Sequence, residues 1–148
     1  MTLKAQLQQD MKDAMRSGDK RRLGAIRLIL AAVKQREVDE RIELDDAQVI
    51  NVLDKMAKQR RDSLEHYEKA GRDDLAEQET FELDILKAYL PEQLGEAEID
   101  ALIDAAIQAT GASSMKDMGK VMGQLKPKLQ GRADMGAVSG RIKARLSG

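Results

Sequence analysis

The chain has 148 residues, with 25 Lys and Arg against 26 Asp and Glu, so its formal net charge is −1. It has no Cys, which excludes disulfide frameworks and thiolate zinc sites, and its 2% aromatic content argues against domains that stack nucleic-acid bases on aromatic side chains. The longest apolar run, Leu28 to Val33, is too short to span a membrane. The first residues are more charged than a signal peptide, so we expect a soluble cytoplasmic protein with no membrane partner.

The near-neutral total conceals an uneven distribution of charge along the chain. Residues 1–72 carry a net charge of +3, residues 73–104 carry −10, and residues 105–148 carry +6. Charge asymmetry between parts of a chain bears on its binding partners more than on its fold. The basic C-terminal part therefore predicts an anionic partner.

Four long helices are predicted before the first of the two prolines. Apolar residues recur every three or four positions through this region, as in amphipathic helices, and no segment alternates with the period of a strand. The first helix ends at Ser17–Asp19, the third is capped by Asp45 or Asp46 and stops at Gly71, and the fourth ends before Pro91. The third and fourth helices should form a hairpin that turns at Gly71.

Shorter helices and more frequent glycines follow Pro91 and predict a compact three-helix unit. Its helix boundaries are expected at Gly111, at Ser113 or Ser114, at Pro127, which should kink or end the middle helix, and at Asp134. The expected architecture is therefore all-α, with an N-terminal domain of long helices over residues 1–91 and a C-terminal domain over residues 92–148.

Candidates for catalysis are few. The single histidine, His66, lies on a charged predicted helix, where a lone histidine is more often solvated than catalytic. Gly119 and Gly123 lie inside a predicted helix rather than after a strand, so they do not form a phosphate-binding loop, and such a pair most often allows close helix packing. With no Cys and one His, nucleophilic triads and metal sites lack the residues they need. We predict no catalytic residue, metal or cofactor.

One charged cluster is expected inside the N-terminal domain. Placed at about 100° per residue, Arg60 falls within the apolar face of the third helix, and Glu79 and Glu82 fall within that of the fourth. An unpaired charge on a buried face costs several kcal/mol, so it requires a partner. We predict that Arg60 pairs with Glu79 or Glu82 across the hairpin, where the pair would set the register of the two helices rather than catalyse a reaction.

The second helix carries a basic ladder, a set of Lys and Arg residues seven positions apart. Its members are Lys20, Arg27, Lys34 and Arg41. The spacing places all four on one flank of the helix, beside its apolar stripe. The basic ladder is interpreted either as a solvated flank or as a set of phosphate contacts, and the long N-terminal helices could instead hold a protein partner or a second copy of the chain.

Basic residues concentrate again in the C-terminal domain. Eight of them form the predicted RNA-binding set: Lys116, Lys120, Lys126, Lys128, Arg132, Arg141, Lys143 and Arg145. Lys and Arg near a turn and a helix start suit phosphate groups, since helix N-termini add backbone N–H donors. Without aromatic side chains to stack on bases, such a surface would recognise the shape and backbone of a folded RNA rather than its sequence.

Three long stretches of the chain resemble the YqeY family. They read QDMKDAMRSGDKRRLGAIRLILAAVKQREVDER, KQRRDSLEHYEKAGRDDLAEQETFELDILKAYLPEQL and TGASSMKDMGKVMGQLKPKLQGRAD. The resemblance implies an all-helical fold whose C-terminal three-helix unit is similar to the tail domain of GatB, a subunit of the glutamine-dependent amidotransferase that converts mischarged glutamyl- or aspartyl-tRNA to its amide form. In that enzyme the tail contacts tRNA, and the chemistry lies in other domains.

The pattern shared with that tail domain lies in the last part of the chain. It comprises Gly119, Val121, Met122, Lys128, Gly131, Arg132, Ala133, Asp134, Val138, Ile142 and Leu146. Family members often have a Lys soon after the Gly-Arg-Ala-Asp turn, whereas this chain has Met135, Gly136 and Ala137 there. One potential phosphate contact is therefore missing.

The resemblance implies a tRNA-binding or tRNA-associated accessory module that is not catalytic alone. Two alternatives stay open. One is a component of an amidotransferase, with carbon–nitrogen ligase activity that uses glutamine as amido-N-donor. The other is a helical protein-interaction module. The expected partner is tRNA or another folded RNA, with a protein bound to the N-terminal helices as the alternative.

Overall fold

The computed structural model describes residues 1–147 and is 82% helical. Those residues form seven α-helices, one short 3₁₀ turn and no strand, so the predicted all-α fold is confirmed. They divide into two compact units, Met1–Leu90 and the segment from Pro91 onward, and each unit has a hydrophobic core of its own. Within this described stretch, no helix combines the length and the apolar composition that crossing a membrane demands.

Four helices form the N-terminal unit: α1 (Leu3–Ser17), α2 (Lys20–Glu40), α3 (Asp46–Lys69) and α4 (Asp73–Tyr89). Short polar side chains cap the first three. Thr2 and Asp19 accept backbone N–H groups in the first turns of α1 and α2, and Asp45 exchanges two hydrogen bonds with Gln48 at the start of α3. Gly18 ends α1 in the left-handed conformation, at φ 74°, which glycine adopts without strain.

Each of these four helices contributes buried aliphatic side chains to one core. Leu7 of α1, Ile26 of α2, Leu53 of α3 and Leu86 of α4 are almost completely inaccessible to solvent. The α3–α4 hairpin turns at Gly71, whose φ of 70° lies in the left-handed region. Burial of these side chains, more than intrinsic helix propensity, stabilises the long helices.

Glu37 connects three parts of the N-terminal unit through one carboxylate oxygen. Its Oε2 accepts a hydrogen bond from Lys4 Nζ at 2.8 Å and another from the Leu44 backbone N–H at 2.9 Å. The Lys4 ammonium first, and then the Leu44 N–H, hold the pKa of Glu37 below its ordinary value, and the same contact with Glu37 raises the pKa of Lys4. The start of α1 and the loop after α2 are thereby tied to the end of α2.

The Glu37→Gln variant should reveal this contact through its dependence on pH. Because the pKa of Glu37 is lower in the folded than in the unfolded chain, its charge stabilises the fold above the unfolded-state pKa, and this contribution is lost as the pH falls through the folded-state pKa. Thermal melting from neutral to acidic pH should therefore show a Tm difference between wild type and variant that shrinks with acid. Glu43→Gln, at an exposed residue 3.8 Å from Lys4, is the control. A Tm difference that stays constant with pH would contradict the prediction.

Three α-helices and a 3₁₀ turn form the C-terminal unit: α5 (Glu96–Thr110), the 3₁₀ turn (Met115–Asp117), α6 (Met118–Leu129) and α7 (Met135–Ser147). Ser114 is the N-cap of the 3₁₀ turn, which leads directly into α6, so the cap predicted at Ser113 or Ser114 is Ser114. The Asp117 carboxylate accepts the Ser114 N–H in a capping box and also accepts the Ser113 N–H. Pro127 lies within the last turn of α6, and the helix ends two residues later. Because proline has no N–H, it cannot continue the helical hydrogen bonds at that position.

The core of the C-terminal unit lies where α5, α6 and α7 meet. Ile103 of α5, Leu125 of α6 and Ile142 of α7 are fully buried there. On α7, Val138 and Leu146 lie four residues to either side of Ile142 and are buried in the same cluster. The opposite faces of α6 and α7 are consequently exposed, and lysine residues lie on them.

Candidate nucleic-acid interface

Two residues of the predicted RNA-binding set, Arg141 and Arg145, bind acidic residues of α5. Arg141 Nη1 lies 2.6 Å from Asp100 Oδ1, and its Nη2 lies 3.1 Å from Glu96 Oε1. Arg145 contacts both Asp100 and Asp104. Asp100 first, and then Glu96, raise the pKa of Arg141. The two arginines thus join α7 to α5, and their charges are largely compensated within the unit.

The spacing of the charges explains this pairing. Glu96, Asp100 and Asp104 are four residues apart on α5, and Arg141 and Arg145 are four residues apart on α7, so each set forms a row along one side of its helix. The two rows of opposite charge are visible in the sequence and indicate pairing between α5 and α7. The prediction that both arginines bind RNA considered the basic row alone and so missed this pairing.

Arg132 lies in the turn between α6 and α7, which hydrogen bonds fix to the first residues of the unit. Its Nε donates to the Glu92 carbonyl at 3.2 Å, and its own carbonyl accepts the Leu94 N–H at 2.9 Å. Beside it, the Gly131 carbonyl accepts a hydrogen bond from Gln93 Nε2 at 2.7 Å. Arg132 is therefore held by its backbone and by one side-chain nitrogen, and its two terminal nitrogens form no hydrogen bond within the described chain.

The other five residues of the predicted RNA-binding set are exposed lysines. They are Lys116 on the 3₁₀ turn, Lys120, Lys126 and Lys128 on α6, and Lys143 on α7. In the part of the chain that the structure describes, none of the five forms a salt bridge. These lysines are therefore the cations of the unit that are best placed to meet an anion from outside.

The exposed lysines do not form one continuous row. Lys120 lies on the side of α6 opposite its buried face, with Lys116 about one turn before it. Lys126 and Lys128 are two positions apart and hence about 200° apart around the helix, so they lie on opposite flanks of α6. The structure thus groups Lys116 with Lys120 and separates Lys126 from Lys128.

Gly119 and Gly123 lie on the exposed face of α6, next to Lys120. The expectation that this pair allows close helix packing is wrong within the described chain: no other part of the protein lies within 4 Å of the position that a Cβ would occupy on either glycine. The reason is that Val121 and Leu125, on the opposite side of α6, are the residues that face the core. The glycines instead leave the helix backbone bare beside a lysine.

In the N-terminal unit, Arg60 of α3 lies between Glu79 and Glu82 of α4. Its Nε is 3.0 Å from Glu82 Oε2, and its Nη1 is 3.6 Å from Glu79 Oε2. The side chains are mostly buried, with 24% exposure for Arg60 and 14% for each glutamate. Arg60 Nε and Glu79 Oε2 have no well-aligned hydrogen-bond partner in the described chain, so the contact is chiefly electrostatic. It joins the two arms of the α3–α4 hairpin.

His66 is exposed near the end of α3. Among residues 1–147 there is no group of three or more His, Asp or Glu side chains arranged to hold a metal ion. The lysine-rich surface of the C-terminal unit is therefore the feature on which a functional proposal can rest.

Known proteins share this sequence over most of its length. A family model described as Yqey-like protein matches residues 4–146. A protein of Pyrenophora tritici-repentis is 34% identical over 129 residues, which cover 86% of this chain and 71% of the relative. A relative from Eremothecium gossypii is 38% identical over 87 residues, which cover 58% of this chain and 48% of the relative. A relative from Lachancea thermotolerans is 35% identical over 123 residues, which cover 78% of this chain and 66% of the relative.

All three relatives bear the name Altered inheritance of mitochondria protein 41, mitochondrial. The name describes these relatives as mitochondrial, which contradicts the prediction of a cytoplasmic location. Composition and hydropathy, on which the prediction rested, do not distinguish one aqueous compartment from another. The chain spans between 48% and 71% of the length of these relatives. Because the family model covers nearly every residue, the chain belongs to the YqeY-like protein family.

Proposed function

We propose that the chain is an RNA-associated accessory protein whose C-terminal unit docks on the phosphate backbone of a folded RNA such as tRNA. The observation that carries the proposal is the separation of charge within that unit. Its acidic row on α5 is bound by Arg141 and Arg145, whereas the five exposed lysines on the 3₁₀ turn, α6 and α7 form no salt bridge within residues 1–147. A cationic surface of this kind attracts polyanions by releasing their counterions.

The composition of the same unit supports backbone recognition over base recognition. From Pro91 onward the chain has no Phe, Tyr or Trp, so no ring is present on which an unpaired base could stack. Lysine ammonium groups and the terminal nitrogens of Arg132 suit phosphate oxygens. The bare backbone at Gly119 and Gly123 lets a ligand come close to α6 between such contacts. A structured RNA presents regularly spaced phosphates to a surface of this type.

Binding of labelled tRNA to the full chain, measured by fluorescence anisotropy over a range of salt concentrations, tests the proposal. Affinity should fall steeply as salt rises. Replacing Lys116, Lys120, Lys126 and Lys128 together with Ala should weaken binding and lower the slope of log affinity against log salt by up to about 3, since each phosphate contact contributes somewhat less than one to that slope.

The matched control removes the same number of charges from the N-terminal unit. Lys12, Lys55, Lys58 and Lys87 are exposed lysines outside the C-terminal surface. Their joint replacement with Ala gives a chain of equal net charge, and its tRNA affinity should stay close to that of the wild type. An equal loss in both quadruple variants, or an affinity that does not depend on salt, would refute a specific RNA-docking surface on the C-terminal unit.

A further inference from the structure

Helix α2 has a second apolar face that the described chain leaves uncovered. Ile26, Ile29 and Val33 are buried in the core of the N-terminal unit, but Leu28 and Val38 are 48% and 58% exposed. Single exposed apolar residues are common on protein surfaces and need no explanation. These two lie on the same side of one helix, so their arrangement has to be considered as a whole.

Exposed residues of α2, apolar except for Gln35, follow the spacing of a helix–helix interface. Leu28, Ala31, Gln35 and Val38 are separated by steps of three, four and three, which is the alternation of the a and d positions in a coiled coil. Ile42, 40% exposed and just beyond the end of α2, lines a shallow depression together with Val38. We call these five residues the α2 seam. Such a seam is long enough to receive about three turns of a partner helix.

A groove between α2 and α3 adjoins the α2 seam. Gln35 of the seam lines it together with Val52, Met56 and Lys55 of α3. Arg36, Asp39 and Glu40 of α2 line it as well, so its charges are mixed. Leu28 and Met56 line a smaller depression farther along the same two helices. The seam therefore borders a concave, partly apolar surface, which is the shape that a docked helix requires.

The basic ladder runs along the other border of the α2 seam. Arg27, Lys34 and Arg41 each directly precede a seam residue, and all are exposed. No member of the ladder forms a salt bridge anywhere in residues 1–147. The carboxylates of α2 near the ladder have other partners. Glu37, which is close enough to Lys34 for the Lys34 charge to lower its pKa, binds Lys4. Asp39 accepts a hydrogen bond from the Gln35 amide at 2.8 Å, and Glu40 binds Arg36. On the groove side, Lys55 and Arg36 are accompanied by Asp39 and Glu40, so the ladder is the border of the seam where cations predominate.

We propose that the α2 seam binds an amphipathic helix of a partner protein whose apolar face is flanked by Asp and Glu. The exposed apolar residues of the seam favour a protein over RNA, because phosphates could contact the basic ladder but would leave Leu28 and Val38 in water. Charge favours an acidic helix over a second copy of the chain, because a second copy would offer acidic partners to fewer residues of the ladder. An antiparallel pair of α2 helices would place ladder against ladder, and in a parallel pair only Asp39 would face a ladder residue.

Two labelled synthetic helices provide the probe. Both have Leu at the a and d positions of about three heptads; one has Glu at every e and g position, and the other has Lys there. Like charges on each peptide oppose its self-association. In fluorescence anisotropy with the full chain, the acidic helix should bind at least about tenfold more tightly than the basic one. Equal or tighter binding of the basic helix would overturn the proposal.

Variants of the seam and the basic ladder locate the binding. The double variant Leu28→Ser with Val38→Ser should bind the acidic helix about tenfold or more weakly than the wild type does, because both side chains would be buried on docking. Met15→Ser, at a 53% exposed residue of α1, is the matched control and should change nothing. Arg27→Ala with Lys34→Ala should weaken binding and reduce its salt dependence. Unchanged affinity in the seam variant would overturn the proposal.

Two further measurements exclude the other occupants. Sedimentation of the full chain should show a monomer, or self-association that the double variant Leu28→Ser with Val38→Ser leaves unchanged. If the full chain self-associates and this double variant does not, the seam is a dimer contact and the proposal fails. Arg27→Ala with Lys34→Ala should leave tRNA affinity unchanged. If that variant loses tRNA affinity while the acidic helix still binds it normally, the basic ladder serves RNA and the proposal is likewise overturned.

Discussion

Replacing Ile142 with Ala should lower the free energy of unfolding of the C-terminal unit by about 2–5 kcal/mol. Ile142 is fully buried in the cluster that also contains Ile103 and Leu125, so the lost methyl and methylene groups leave a cavity between three helices. Urea unfolding followed by circular dichroism, combined with hydrogen exchange of residues in α5, α6 and α7, measures the loss. Affinity for tRNA should fall under conditions in which the unit unfolds, because its core positions the exposed lysines.

An isoleucine-to-alanine substitution at an exposed position is the matched control. Ile42→Ala deletes an equal part of a side chain that is 40% exposed, so less apolar surface returns to water and no enclosed cavity forms. Its effect on stability should stay below about 1 kcal/mol, and tRNA affinity should not change. Equal destabilisation by the two substitutions would show that burial of Ile142 is not what stabilises the unit.

The second large effect is expected at the ion pairs of the α3–α4 hairpin. Glu82→Ala removes the carboxylate 3.0 Å from Arg60 Nε and leaves the guanidinium in a mostly buried position with only Glu79, at 3.6 Å. The loss in unfolding free energy should be about 1–3 kcal/mol, the usual cost of an unsatisfied buried polar group. Chemical denaturation of the full chain measures it. Glu65→Ala, which breaks the exposed pair with Lys69, should have little measurable effect.

A triple variant separates the value of the ion pairs from the cost of breaking them. Arg60→Leu with Glu79→Gln and Glu82→Leu removes every formal charge of the cluster and keeps the volume similar. Its stability should equal or exceed that of the wild type, because apolar replacement of a whole buried ionic cluster is often neutral or stabilising. If the triple variant is as unstable as Glu82→Ala, the charges stabilise the hairpin in their own right.

Much of the helical architecture follows from short stretches of sequence. Gly18 and Gly71 end helices in the left-handed conformation, and Asp45 caps α3 with the help of Gln48, because each of these effects depends on residues within one or two turns. The start of α6 follows the same rule. Ser114, one of the two serines predicted to cap this helix, is the N-cap of the 3₁₀ turn that leads into it, and Asp117 completes a capping box by accepting the Ser114 backbone N–H.

The partners of the charged residues were harder to predict from the sequence. All eight basic residues of the C-terminal unit were visible in the sequence as candidate phosphate ligands, yet the structure gives them different environments. Arg141 and Arg145 bind the acidic row of α5, Arg132 donates to a backbone carbonyl, and the five lysines alone are exposed without a salt bridge within residues 1–147. On α6, the exposed Gly119 and Gly123 show that a motif typical of helix packing can face solvent.

Helix positions, the all-α class and the family depend on neighbouring residues and on the order of motifs, so the sequence alone determined them. The availability of a charge or an apolar face depends instead on which helix packs beside it. Asp100 and Arg141 are 41 residues apart in the chain, and only folding brings them within 2.6 Å. Leu28 and Ile29 are adjacent, yet one is half exposed and the other is buried, because the core covers a single side of α2. Tertiary packing therefore decided which cations and which apolar residues remain for a partner.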